Sequence, residues 1–127
     1  MDIYEKERPV GIQVFGAELD SMLQTVDIVE KSNPDIIDIN FGCPVKKVVC
    51  KGAGAGILKD IPLMVKLTEE MVKRTNLPIT VKTRLGWDND SIKIVEVAER
   101  LQDDIKVVIE GIIIIADQII EHPFIGE

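Results

Sequence analysis

The residues best suited to chemistry lie in Asn40-Phe41-Gly42-Cys43-Pro44. Gly42 permits a tight turn and Pro44 fixes the exit without an N–H, so Cys43 between them is presented from a loop instead of being packed in a core. A presented thiol can donate a proton or, beside cations, act as a nucleophile. Lys46 and Lys47 follow closely. The commoner fate of a lone cysteine is that of a small buried hydrophobe, and Cys50, which has no comparable setting, is read as structural.

Three further side chains fall where a parallel α/β fold collects ligands, at strand ends and in the loops after them. Gln13 and Lys82 interrupt runs that otherwise read as buried strand, so each needs a partner or a ligand. The plainer outcomes are a Gln13 bonded to backbone and a Lys82 that reaches solvent. Arg84 closes the same run as Lys82, and Asn40 closes the run before Cys43. If these strands are neighbours, a carboxamide, a thiol, an amine and a guanidinium converge on one face. Lys51-Gly52-Ala53-Gly54-Ala55-Gly56 has the small residues of a phosphate cradle. It lacks the GxxxxGK[ST] order, and no GxGxxG follows an early strand, so it reads as a flexible or close-packed loop.

The elements that must position these groups alternate between short β-rich runs and longer amphipathic ones, the rhythm of βα units. Val10–Phe15 reads as a strand, and Leu19, Met22, Leu23, Val26 and Val29 recur at helical spacing until Ser32-Asn33-Pro34. Asp35–Asn40 is the second strand, and Phe41–Gly56 is a long loop. Asp60 and Pro62 open a second helix with Met64, Leu67, Met71 and Val72 on one face. Ile79–Arg84 is the third strand, and a third helix, capped by Asp90 or Ser91, carries Ile94, Val95, Ala98 and Leu101 to about Gln102. Three successive units predict a parallel sheet. Beyond Asp103, Ile105–Ile109 and Ile112–Ile115 read as strand, with no clear cap or stop in Asp117–Glu121.

With 127 residues against a usual domain of about 150, the chain is expected to form one domain. Its 46% hydrophobic and 29% charged content excludes disorder. The longest apolar run, Ile112–Ala116, is far too short to cross a bilayer, and the acidic opening is unlike a signal region, so a cytoplasmic protein without membrane contact is expected. Two cysteines and one histidine build neither a disulfide framework nor a four-ligand zinc site, so no metal is expected. The net charge of −7 argues against a nucleic-acid binder, but it is unevenly spread. Residues 41 to 87 hold nine basic and three acidic side chains between two acidic flanks, a dock for an anionic ligand unless those flanks fold over and pair it.

Gln13, Asp38–Pro44, Lys51–Leu58 and Ile79–Trp87, taken in order and spacing, resemble the tRNA-dihydrouridine synthases, most of all the bacterial branch. The likeness runs from about residue 7 to residue 103. It implies part of an FMN-binding (β/α)8 TIM barrel, about strands two to four of eight, in which residues 1–102 are family-like and 103–127 form an atypical tail. The implied reaction is reduction of the C5–C6 double bond of uridine in tRNA, with NADPH as reductant. By position, Cys43 is the implied general acid, Gln13 and Lys82 contact the flavin, Asn40 borders flavin and target base, and Arg84 lies near FMN or substrate. The family's histidine motif, phosphate-binding glycines and helical tRNA-binding domain are missing from this sequence, and His122 does not match the expected histidine. The chain therefore reads as a fragment, whose open sheet edges call for a second copy or a complementary half-barrel. Two alternatives are an inactive half-barrel and a different flavin-dependent barrel oxidoreductase.

Overall fold

The structure, a computed structural model, describes residues 2–43, 45–88, 90–104 and 114–117. Strands β1 (Gly11–Val14), β2 (Ile36–Phe41), β3 (Ile79–Arg84) and β4 (Ile114–Asp117) form one sheet in sequential order, every neighbouring pair parallel. Helix α1 (Leu19–Glu30) joins β1 to β2. The connection from β2 to β3 carries a short α2 (Lys46–Val49), a 3-10 segment (Gly54–Lys59) and α3 (Ile61–Arg74), and α4 (Ile94–Asp104) follows β3. This is the expected α/β architecture, an arc of a (β/α)8 barrel.

Burial alternates along β2 and β3 and separates two faces. Ile37, Ile39 and Phe41 of β2 and Ile79, Val81 and Thr83 of β3 are buried, and the isoleucines, Phe41 and Val81 belong to the core cluster with Val26, Met64, Met71 and Leu101 of the helices. The residues between them, Asp38, Asn40, Thr80, Lys82 and Arg84, are half-buried on the opposite face. A parallel strand covered on both faces is usually apolar throughout. Here the second face is polar.

Helix α3 starts where its sequence demands. The Asp60 carboxylate accepts from the Leu63 N–H at 3.2 Å, Pro62 fits the first turn, and Lys73 and Arg74 sit in the last turn, where cations suit the helix dipole. After α1 the chain reverses at Asn33, whose φ of 54° lies in the left-handed region that asparagine tolerates, and Pro34 follows.

Two expectations need correction. Phe41–Gly56 is more than a loop: α2 and the start of the 3-10 segment lie inside it, because Val49, Ala53 and Ala55 are drawn into buried positions. The third helix begins at Ile94, later than a cap at Asp90 or Ser91 requires. There the chain doubles back, so that Gly86 bridges Ile92 and the Leu85 carbonyl accepts from Lys93 and Ile94 N–H at 2.8 and 3.0 Å. The Ser91 hydroxyl donates to Asp88 instead. In the tail, the strand expected at Ile112–Ile115 is found as Ile114–Asp117, aligned with Val81–Arg84. Ile105–Ile109, residues 118–121 and His122 lie outside the described residues. No helix among the described residues is long and apolar enough to cross a membrane.

Candidate active site

The polar face of the sheet and the loops at the carboxyl ends of β2 and β3 meet at Cys43. Parallel register sets Gln13 beside Asp38, Thr80 beside Asp38, and Lys82 beside Asn40. With a two-residue period, all of them project from the same side of the sheet. Gln13 Nε2 donates to Asp38 Oδ2 at 2.6 Å, and Thr80 Oγ1 donates to Asp38 Oδ1 at 2.5 Å. Asn40 Nδ2 donates to Gln13 Oε1 at 3.1 Å. Gln13 thus finds side-chain partners, not the backbone partner that the plainer reading supposed.

Asn40 also builds the cysteine turn. Its Oδ1 accepts from the N–H groups of both Gly42 and Cys43 at 2.9 Å, a local side-chain turn of the kind asparagine favours. Arg84 Nε donates to the Gly42 carbonyl at 2.6 Å from the neighbouring strand, and Ala55 N–H donates to the Cys43 carbonyl at 2.9 Å. Gly54 lies so close beneath that an added Cβ would stand 2.7 Å from the Cys43 carbonyl oxygen and 3.0 Å from its Cβ. The glycine-rich run therefore packs against the cysteine turn, and closeness of backbone to backbone is what its small residues serve. Cys43 itself is half-buried.

The remaining groups take different places. Lys82 is half-buried on the polar face and has no hydrogen-bond or ion-pair partner among the described residues. Cys50 is exposed at the end of α2, not packed in the interior, because α2 turns Val49 inward. Lys46, Lys47 and Lys51 are exposed along the same connection. Trp87 packs against Val49 and Ala55 while Lys59 Nζ lies 3.9 Å from its ring centroid, tying the loop after β3 to the loop after β2. A cleft of about 330 Å³ opens past β1 between Phe15, Met22, Lys51 and Ala53.

The Val10 N–H and then Arg8 hold the Asp35 carboxyl below its ordinary range, and Arg74 does the same for Asp27 across α1 and α3. Of the residues expected on one face, Gln13, Asn40 and Arg84 are linked by hydrogen bonds to one another or to the Cys43 turn, and Lys82 lies beside Asn40 by register. Sequence reasoning missed Asp38 and Thr80, although polar residues at alternate positions in two β-rich runs were a signal of a shared polar face.

A family model described as Dihydrouridine synthase (Dus) matches residues 1–106. The chain belongs to the dihydrouridine synthase family. Among curated relatives, a "Probable tRNA-dihydrouridine synthase 1" of Synechocystis sp. is 40% identical over 103 residues, covering 81% of this chain and 29% of the relative. A "Probable tRNA-dihydrouridine synthase" of Aquifex aeolicus is 42% identical over 102 residues, covering 77% and 32%. A "tRNA-dihydrouridine synthase B" of Pasteurella multocida is 38% identical over 89 residues, covering 70% and 27%. The chain thus spans about a third or less of the length of these relatives.

Proposed function

We propose that this chain forms the acid-bearing arc of a flavin-dependent tRNA uridine reductase that reduces the C5–C6 double bond, with NADPH as the electron source. The observation that carries this reading is the way Cys43 is held. Its thiol is half-buried on a backbone fixed by Asn40, Arg84 and the glycine run, at the strand ends where ligands collect.

The donor set of the polar face fits a flavin ring. Lys82 is a cation without a partner among the described residues, and Gln13 Nε2 keeps a second hydrogen beyond the one given to Asp38. Both therefore have N–H groups to offer to carbonyl and ring-nitrogen acceptors. FMN, when bound, supplies the hydride that adds to C6 of the uracil. Cys43 holds a proton at Sγ and delivers it to C5, which completes addition of two hydrogens across the double bond. Lys82 offsets negative charge in the site. Asn40, with its second Nδ2 hydrogen, borders flavin and base, and Arg84 lies toward the substrate. The exposed Lys46, Lys47 and Lys51 suit phosphates of a tRNA whose target base has left its stack. Such an enzyme acts in the cytoplasm.

Among the described residues β1 pairs on one side only, which favours a further condition: a second copy or a complementary half-barrel covers its outer edge. The test is incubation of the purified chain with excess FMN, gel filtration with the apparent mass recorded, and an assay of tRNA-dependent NADPH oxidation. Co-eluting flavin and tRNA-dependent turnover support the proposal. A colourless, inactive protein at monomer mass overturns it for this chain acting alone.

A further inference from the structure

The polar face carries a chain of hydrogen bonds whose two ends impose the same direction. At one end, the Asp38 carboxylate has oxygens only, so Gln13 turns Nε2 toward it. At the other end, the N–H groups of Gly42 and Cys43 can only donate, so Asn40 turns Oδ1 toward them. The atoms left over, Gln13 Oε1 and Asn40 Nδ2, then face each other as acceptor and donor at 3.1 Å. Flipping one amide alone sets oxygen against oxygen at one of its contacts and N–H against N–H at the other. Thr80 Oγ1 fills the other Asp38 oxygen from β3, which leaves Oδ2 directed at Gln13.

We infer that Asp38 is a positioning residue that acts through the Gln13 and Asn40 amides to hold the backbone of Gly42 and Cys43, and with it the thiol. Its catalytic consequence rests on the reading of Cys43 as the acid; its structural content does not. A carboxylate serving only to brace the sheet would act through Thr80 and leave the cysteine turn unaffected.

The full chain, labelled with 15N and carrying Cys50→Ser, provides two readouts: hydrogen exchange at the Gly42 and Cys43 amides, and the rate of iodoacetamide alkylation of Cys43 across a pH series. Asp38→Ala removes the acceptor to which Gln13 Nε2 donates. Both amides are then expected to exchange about three- to tenfold faster, the worth of one ordinary hydrogen bond, while Ile39 and Val81 stay protected. Alkylation of Cys43 is expected to accelerate in the same proportion. Gln13→Leu, at an exposed position of an edge strand, cuts the same chain with little demand on the fold and should give the same result. Combining Asp38→Asn with Gln13→Glu offers an amide N–H at position 38 to a carboxylate at position 13. Donors and acceptors are again in order, and both readouts should return to the parent values. Exchange within about twofold of the parent in both single variants overturns the inference. So does a double variant that recovers nothing. Absence of uridine reduction would instead count against the proposed function and would leave these readouts unchanged.

Discussion

Gly52 and Gly54 offer a matched pair for testing how the cysteine turn is supported. Both have positive φ, 76° and 55°, so an L side chain at either position costs about 1–2 kcal/mol of backbone strain. Their surroundings differ. A Cβ at Gly52 meets only the Ala17 Cβ at 3.7 Å, an ordinary contact. A Cβ at Gly54 meets the Cys43 carbonyl oxygen at 2.7 Å and Val48 Cγ1 at 2.8 Å, distances that force the turn or α2 to move. Such overpacking adds about 1–3 kcal/mol, so Gly54→Ala should cost about 2–5 kcal/mol in total and Gly52→Ala only about 1–2 kcal/mol. With a urea dependence of about 1–3 kcal/mol per molar, the Gly54 variant should unfold at a midpoint lower by about 1 M than the Gly52 variant. Alkylation of Cys43 should change in the first and stay at the parent rate in the second. Equal losses of stability, with Cys43 reactivity unchanged in both, would refute the claim that the glycine run exists to pack against the turn.

Asp60→Ala should remove the cap of α3 and lower stability by about 1 kcal/mol in urea unfolding; an unchanged midpoint would contradict the capping role. The Asp35 carboxyl titrates below its ordinary 3.8 in the folded chain because it accepts from Val10 N–H and pairs with Arg8. Its contribution to stability is therefore complete above that value and is lost as pH falls through the lower, folded one. Asp35→Ala should flatten the acid limb of a stability–pH profile, and a profile parallel to the parent's would count against this origin. Lys82→Met should reduce the FMN retained through gel filtration, and undiminished retention would remove Lys82 from the proposed flavin site.

Much of the fold was legible because apolar periodicity is local. The period-two run Ile79–Arg84 is found with those bounds, and Asp60 caps α3 as its position before Pro62 implied. What escaped depended on contacts between distant segments. Nothing near Ser91 announces that Leu85 will accept from Lys93 and Ile94, which delays α4. Val49 and Ala55 become buried only when Trp87 arrives from the next loop, so the helical turn inside a glycine-rich stretch was hidden. The site was legible in its members and not in its wiring. Asn40 and Arg84 stood out as ligand contacts, yet each gives a polar atom to the cysteine turn. Asp38 looked like an ordinary strand residue until register set Gln13 and Thr80 beside it.

The most direct test of the central claim is to graft the matching portion of this chain into the Synechocystis relative, in place of the segment to which it is 40% identical over 103 residues, and to measure dihydrouridine formed in tRNA. The account predicts that the chimera makes dihydrouridine and that Cys43→Ala lowers its rate by about 10² or more while bound flavin is kept. A flavin-loaded chimera that is inactive, or one whose rate is indifferent to Cys43→Ala, would contradict it.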